Sequence, residues 1–280
     1  MNTNSHVLRR FLQRKSSVIG SAIIFIFVFV ALIGPFLCPY QPNEINLMNR
    51  YQNPSREHWL GTDILGRDTF TRLVYGARIS LLISVMSTLI GSFVGMVLGV
   101  IAGYFGGVLD SFISRMLDIL MAFPGLLLAI AVIAILGSGL VNTMLAVAVF
   151  SIPTIARLVR SVVITLRENE YVQACQVVGA SNTRIVVTHI IPNAMGQIIV
   201  NVTLNFGYAI LAASSLSFLG LGVQPPNPEW GAMLSQARQA IRSTPMASII
   251  PGMCIMLVVL SFSMVGDGLR DALDPKLKRG

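Results

Sequence analysis

The sequence predicts an all-α membrane protein with about six transmembrane helices, because it is poor in charge and its apolar runs are long. Of its 280 residues, 54% are hydrophobic and only 11% are charged, and the mean hydropathy is +0.73. Soluble domains carry roughly 25% charged residues. The runs are apolar on all sides and do not alternate as the strands of a membrane barrel do. A water-soluble fold and a membrane barrel are both excluded.

The spans are defined by uncharged runs, since a helix needs about 20 apolar residues to cross the hydrocarbon core. Five such runs occur, at 16–43, 79–109, 119–156, 185–228 and 243–266. The third contains Gly137-Ser138-Gly139 and is predicted to be a helical hairpin, which gives six spans. Pro124 is expected to kink the third span. Pro192 and the glycines and prolines of 220–226 trim the fourth run to one span.

The N-terminal end could be a secretory signal, because basic residues precede an apolar stretch. Val18–Leu37 is longer than the apolar region of a signal peptide, however, and no small-residue cleavage site follows it. We therefore predict a cytoplasmic N-terminus at 1–16 and a retained first helix at 17–38. The remaining divisions are an extracytoplasmic segment at 39–78, a five-helix membrane core at 79–268 and a cytoplasmic tail at 269–280.

The net charge of +8 is compatible with nucleic-acid binding. The Lys and Arg residues, however, flank apolar runs instead of forming one dense stripe. More of them lie on the side of the two termini than on the opposite side, so the positive-inside rule places both termini in the cytoplasm. Membrane lipid is the expected partner and nucleic acid is not. The three cysteines lack C-x-x-C spacing, and no metal site is expected.

Two sets of small or polar residues stand out within the spans. Gly91, Gly95, Gly99 and Gly103 are four residues apart, and this spacing predicts close helix packing on one face. Polar residues of the fifth span are expected to face other helices or a wet cavity, because unsatisfied polar groups are costly in lipid. The candidates for lining a solute path are Asn201, Asn205, Ser214 and Ser215. Hydrogen bonding between helices is the alternative for each of them.

The polar segment at about 161–192 is long enough for a short helix outside the membrane. Small residues at Ala174 and Cys175, a turn at Gly179-Ala180 and the proline at 192 predict a short helix, a bend and a second short helix. Acidic residues precede the first helix, where a helix N-terminus favours them. The segment lies between the fourth and fifth spans.

This segment resembles the cytoplasmic loop of permease subunits of binding-protein-dependent ABC importers, in the branch that handles di- and oligopeptides, glutathione and nickel. The family pattern is Glu-Ala-Ala, three residues, Gly, nine residues, then Ile-x-Leu-Pro. Ala174 falls on the first Ala, Gly179 on the Gly and Pro192 on the Pro. The chain departs from the pattern at Gln173, Cys175, His189 and Ile191.

Other runs resemble the same branch from Ser17 onward. They are His58-Trp59-Leu60-Gly61-Thr62-Asp63, Gly66-Arg67-Asp68, Phe218-Leu219-Gly220-Leu221-Gly222, Pro228-Glu229-Trp230-Gly231 and Gly266 to Pro275. The resemblance implies a bacterial inner-membrane subunit that works with a second permease, two ATPase subunits and an extracytoplasmic binding protein. It implies an ATPase-coupling loop that includes Glu168, Glu170, Gln173, Ala174, Cys175, Gly179, Ala180, Arg184 and Pro192.

ATP hydrolysis is not expected in this chain. A phosphate-binding loop of the Walker type needs G-x-x-x-x-G-K-[ST], and the only lysines are Lys15, Lys276 and Lys278, none of them in such a loop. ATP and Mg²⁺ would therefore be held by the partner subunits. The chain is predicted not to be an enzyme and to hold no cofactor.

Two other classes of protein remain as alternatives. A membrane-embedded enzyme would need paired acids, a zinc motif or a Ser/His pair at depth, but the histidines fall in predicted loops or tails. An ion-coupled secondary transporter would usually need acidic residues within spans. Asp118 follows Arg115 by three residues and is expected to form an interfacial ion pair with it. Among importers the cargo stays open, with peptides favoured over a nickel or metal chelate.

Overall fold

The computed structural model describes residues 3–273, so most of the predicted C-terminal tail lies outside the described residues. Within that range the chain forms helices joined by turns and one longer segment, with no β-strand. The helices are α1 Thr3–Gln13, α2 Lys15–Leu37, α3 Thr69–Phe105, α4 Gly107–Met121, α5 Gly125–Leu136, α6 Leu140–Arg167, α7 Glu170–Val177, α8 Asn182–Ile185, α9 Ile191–Phe218, α10 Trp230–Ala237 and α11 Met246–Leu273.

The predicted all-α membrane fold is confirmed. Within residues 3–273, α2, α3, α6, the continuous helix of α8 and α9, and α11 are each long and apolar enough to span a membrane. A sixth span is available if α4 and α5 are counted together, although they meet at 93°. The hairpin break occurs where the glycines predict it, because Gly137 and Gly139 have positive φ and α6 begins at the next residue.

The third span differs from the prediction, which placed a kinked helix from residue 119 onward. Instead α4 begins at Gly107, and the chain turns through a right angle at Ala122–Pro124. α5 has 12 residues and is about 18 Å long, which is shorter than the hydrocarbon core of about 30 Å. The charges of Asp110 and Asp118 concealed α4 from a search for uncharged runs.

Those two acidic residues bind arginines of α6. Asp110 forms a bidentate pair with Arg160, with N–O distances of 2.5 and 2.6 Å, and Asp118 lies 2.7 Å from Arg157. The expected pair of Asp118 with Arg115 is therefore wrong. The arginine that binds each aspartate belongs to α6, and the spacing of residues along α4 cannot reveal a partner on another helix.

α3 begins at Thr69, although the sequence suggested a membrane core from residue 79. Asp68 caps the helix by accepting a hydrogen bond from the Thr71 amide over 2.7 Å. The first turn includes Arg72, which is 1% exposed and lies 3.5 Å from the carboxylate of Asp63. Because Arg72 is buried and paired, it can lie inside a helix that hydropathy alone would start later, after the charged residues.

The second short helix of the polar segment is also different from the prediction. α8 continues through a π-helical turn at Val186–Ile190 into α9, so the helix runs unbroken from Asn182 to Phe218. Pro192 lies in the first turn of α9 and does not end the helix. A proline lacks the amide that would close a regular turn, and the wider π turn before it accommodates the missing bond.

Candidate functional site

The segment with the coupling-loop pattern folds as a short helix between two long ones. α6 leads into α7, and a bend leads from α7 into the helix of α8 and α9. The predicted residues lie in this order: Glu168 caps the C-terminus of α6; Glu170, Gln173, Ala174 and Cys175 lie in α7; Gly179 and Ala180 lie in the bend; Arg184 lies in α8; and Pro192 lies in the first turn of α9.

α7 is held by one buried side chain and leaves its tip uncovered. Val172 is fully buried in a cluster that also contains Val163 and Ile185. Val177 and Val178, at the other end of the helix, are 88% and 87% exposed. Valine is one of the residues most often buried in proteins. Two adjacent exposed valines on an anchored helix therefore form a surface suited to another protein.

The bend after α7 depends on the backbone of Gly179. Its φ of +83° lies in the left-handed region that favours glycine. The amides of Gly179 and Ala180 donate to the carbonyls of Gln176 and Cys175, each over 3.0 Å, which satisfies the end of α7. A Cβ at Gly179 would meet no atom within 4 Å. The requirement for glycine is conformational and not steric.

Aromatic side chains brace α7 and α8 against the long helices. The Tyr104 hydroxyl of α3 donates to the Asn182 side-chain carbonyl over 2.9 Å. The rings of Tyr171 and His189 meet edge to face at 6.4 Å, and the Asn193 amide lies 3.5 Å from the Tyr171 hydroxyl. α7 is therefore connected to the start of α9, and α3 is connected to α8, the helix that follows α7.

A groove of about 510 Å³ lies beside α7. Its walls are the C-terminal ends of α3 and α6 and one side of α7, and its polar residues are Arg167, Glu168, Gln173 and Gln176. The Gln173 side-chain amide donates to the Glu168 carbonyl over 3.1 Å. This end of the molecule therefore has a polar groove next to the exposed apolar side chains of Val177 and Val178.

The four glycines of the second span lie against α6. A Cβ on each would be 2.5 to 3.0 Å from a carbonyl oxygen of α6, those of Ala148, Ile152, Ala156 and Arg160 for Gly91, Gly95, Gly99 and Gly103 respectively. The contacts advance by four residues on both helices. Small residues in this register let two helix backbones touch. This joint connects α3 to the helix that carries α7.

The polar residues proposed for the solute path do not share one environment. The Asn205 amide donates to the Asn201 side chain over 2.8 Å, within the same helix. Ser215 donates to the Leu211 carbonyl over 2.8 Å and is partly exposed. Ser214 is buried and lies 3.4 Å from the carboxylate of Glu229.

Ser214 and Ser215 line a cavity of about 570 Å³ between α5, α9, α10 and α11. The other lining residues are apolar, among them Leu126, Phe218 and Leu260. No charged residue of the described chain contributes to its wall. Asn201 and Asn205 lie elsewhere on α9.

The sequence missed a buried carboxylate that connects three helices. Glu229 is fully buried and caps α10 by accepting hydrogen bonds from the Gly231 and Ala232 amides over 3.0 and 2.8 Å. It also accepts a hydrogen bond from Ser80 of α3 over 3.1 Å. Trp230 is 1% exposed and donates through its indole to the Leu73 carbonyl. Both side chains of this motif therefore belong to the interior of the protein.

The segment before α3 holds a second buried polar network. The Arg67 guanidinium lies 2.7 Å from the Asp63 carboxylate and donates to the Gln236 side chain of α10 over 3.0 Å. His58 and Asp68 are both buried, 2.9 Å apart. Trp59 is 61% exposed, whereas Arg67 of the neighbouring motif is 3% exposed. Arg67 therefore fixes internal structure.

At the start of this segment, burial raises the pKa of the Cys38 thiol, and the nearby Asp68 carboxylate raises it further.

In residues 3–273 no group of His, Cys, Asp and Glu side chains is arranged to hold a metal ion. The fold and these surfaces define a multi-span membrane protein with a close-packed pair of helices, a cavity, and a short helix whose tip is exposed.

Comparison with known families places this subunit. The family described as binding-protein-dependent transport system inner membrane component matches residues 95–279. The N-terminal transmembrane domain of oligopeptide transport permease C matches residues 5–54. The chain belongs to the family of binding-protein-dependent transport permeases, as the motifs predict.

Individual relatives agree over nearly the whole chain. The dipeptide transport system permease protein DppC of Alkalihalophilus pseudofirmus is 51% identical over 95% of this chain and 88% of its own length. The glutathione transport system permease protein GsiD of Shigella flexneri is 46% identical over 96% and 89%. Among solved structures, an inward-facing MetNI methionine ABC transporter gives a TM-score of 0.58 at 19% identity over 73% of this chain and 97% of that chain. This last likeness concerns the fold.

Proposed function

We propose that this chain forms half of the membrane path of an ATP-driven importer of short peptides, in the inner membrane of a bacterium. A second permease would complete the path, two ATPase subunits would hold ATP and Mg²⁺, and a binding protein would deliver the cargo. The named transport systems of the relatives support peptide or glutathione cargo. A nickel or metal chelate is the alternative cargo.

The observation that carries the proposal is the exposed tip of α7. Val177 and Val178 lie at the end of a helix that packs against α6 and the start of α9, and α3 braces the following helix α8. A partner that binds the tip would therefore move these helices together. Coupling between distant sites needs a firm connection with two arrangements. We assign this tip to the ATPase subunit, which places the α7 end of the bundle and both termini in the cytoplasm.

The helices behind α7 suit the transmission of force. α6 touches α3 backbone to backbone along the four glycines, and α8 continues into α9 without a break. Displacement of α7 would therefore reach both α3 and α9 with little loss in flexible loops. The cavity beside Ser214 and Ser215 lies on the far part of the same α9.

The walls of that cavity suggest weak selectivity in the membrane part. They carry no charge among the described residues, so they offer no strong grip on a particular peptide side chain. Selectivity would then reside mainly in the binding protein. Ser214 and Ser215 would line the path, and Asn201 with Asn205 would contribute a polar patch closer to the α7 end.

The proposal is tested by uptake and by ATP hydrolysis of the purified complex. Gly179→Val forces a β-branched residue into positive φ, which should abolish peptide uptake while the chain still inserts into the membrane. Gly179→Asn is the matched control, because asparagine tolerates this conformation. Normal uptake with Gly179→Val would remove the assignment of the bend to coupling.

The cargo is tested with the same complex. Hydrolysis is measured with a binding protein loaded with a dipeptide, with glutathione or with a nickel chelate. We expect stimulation by the peptide forms. Stimulation by the nickel chelate alone would replace peptide as the cargo while leaving the importer assignment intact.

A further inference from the structure

The N-terminal helix α1 is amphipathic and lies next to the first span. Its apolar residues Val7, Leu8, Phe11 and Leu12 recur at helical spacing on one face, and Arg9 lies beside that face. An isolated helix of 11 residues is marginal in water, so its surroundings must stabilise it.

Among the described residues, the chain covers one flank of this apolar face. Phe11 packs near Gly268 of α11, and a Cβ at Gly268 would lie 3.3 Å from its ring. Leu8 and Leu12 are 59% and 56% exposed. The orientation of α1 is fixed at its end, because the Arg14 guanidinium binds the Asp271 carboxylate and donates to the Asp267 carbonyl over 3.1 Å. The two exposed leucines therefore point away from the described part of the chain.

The exposed leucines continue into the lipid-facing surface of α2. Val18 and Ile19, in the first turn of that span, are 41% and 52% exposed. α2 is apolar throughout and must enter the bilayer here. Arg9, between the two leucines in the sequence, and Lys15, the first residue of α2, are both exposed. Apolar residues facing the acyl chains with basic residues at the headgroups is the arrangement of an interfacial helix.

We propose that α1 lies in the membrane interface and binds anionic phospholipid headgroups through Arg9 and Lys15, with Leu8 and Leu12 inserted among the acyl chains. Charge complementarity favours an anionic leaflet, since each Lys or Arg near such a surface contributes measurably to binding. The ion pair of Arg14 connects this helix to the end of α11. The bound lipid would therefore hold the N-terminal end of α2 and the C-terminal end of α11 at the same depth in the membrane.

The test uses the full transporter complex in phosphatidylcholine nanodiscs. Cys38, Cys175 and Cys254 are replaced by Ser, and Leu8→Cys or Leu12→Cys is labelled with an environment-sensitive fluorophore; Gln13→Cys is the matched control on the polar face. Nitroxide-labelled phosphatidylglycerol or phosphatidylcholine is added at equal mole fraction as a quencher. We expect strong quenching at Leu8 and Leu12, weak quenching at Gln13, and a preference of roughly tenfold for phosphatidylglycerol.

Removal of the two charges separates the headgroup from the acyl-chain contribution. Arg9→Gln with Lys15→Gln should abolish the preference for phosphatidylglycerol and leave quenching by phosphatidylcholine in place, whereas Arg56→Gln with Arg242→Gln, at the other end, should change neither. Equal quenching by both lipids in the unaltered charge background would overturn the anionic site. Absence of quenching at Leu8 and Leu12 would overturn the interfacial position of α1, and emission that then changes when the ATPase subunits are stripped from the complex would show that α1 is a protein-docking helix instead.

Discussion

The end of the bundle that holds α10 and the end that holds α7 treat their distinctive side chains in opposite ways. At the α10 end, Glu229 and Arg67 are buried and their hydrogen-bond partners belong to the same chain. At the α7 end, Val177 and Val178 are almost fully exposed. The polar groups of the α10 end are satisfied within this chain, whereas the apolar tip of α7 is left uncovered and is suited to contact with another subunit. Mutations at the exposed tip of α7 should therefore reduce transport without reducing stability. Mutations of the buried network at the α10 end should reduce stability.

The largest effect is expected at the tip of α7. Val177→Glu with Val178→Glu places charge on a surface that we assign to the ATPase contact, where a central residue contributes 2 kcal/mol or more. Peptide uptake should fall roughly thirtyfold or more. The thermal stability of the isolated chain in detergent should not change, because neither side chain has a packed environment. A stability loss that matches the loss of uptake would show that the tip is structural.

At the α10 end, Glu229→Ala should destabilise the chain by about 3 kcal/mol, because it leaves buried amides and the Ser80 hydroxyl without their acceptor. Thermal unfolding in detergent measures the change. Glu57→Ala is the control, since Glu57 is exposed. Equal melting temperatures for the two variants would show that the buried network does not stabilise this end.

A smaller loss is expected in the joint that connects the two ends. Gly99→Ala puts a Cβ 2.5 Å from the Ala156 carbonyl oxygen, so α3 and α6 must separate at a cost of about 1–3 kcal/mol. Gly196→Ala is the matched control, because its nearest neighbour would be at 3.9 Å. The control should melt at the same temperature as the unaltered chain or slightly above it. Equal tolerance of both would contradict the backbone contact.

The smallest effects concern the two ion pairs between α4 and α6. Arg160→Gln breaks a bidentate pair that is partly shielded from solvent, and we expect a loss of about 1 kcal/mol. Arg157→Gln breaks a pair whose side chains are more than half exposed, for which about 0.5 kcal/mol or less is expected. Unfolding of both variants at several salt concentrations tests the order. The reverse order would show that α4 is held mainly at Asp118.

The sequence predicted most of the spans because hydropathy is a local property. α2, α11 and the hairpin break before α6 follow from uncharged runs and from paired glycines. The glycine spacing also indicated which face of α3 would be close-packed, although it does not identify α6 as the neighbour. The coupling pattern located α7 because its spacing is shared across a family.

The features that the sequence concealed depend on contacts between distant residues. α4 carries Asp110, whose charge interrupts an apolar run but is matched by Arg160 fifty residues later. Arg72 enters a span because Asp63 of the preceding loop lies beside it. Glu229 looks like a residue of an exposed loop until Ser80 is placed next to it. A single sequence gives the partners of none of these side chains.

The contact between α7 and the ATPase is the central claim, and it is tested most directly by crosslinking in the assembled complex. In a background with the native cysteines replaced, Val177→Cys receives a short photoactivatable crosslinker, and Met48→Cys, 92% exposed on the segment before α3, serves as the control. Our account predicts that Val177 crosslinks to the ATPase subunit and that Met48 does not. Crosslinking of the ATPase from Met48 alone would contradict the account, since it would place the ATPase at the opposite end of the bundle.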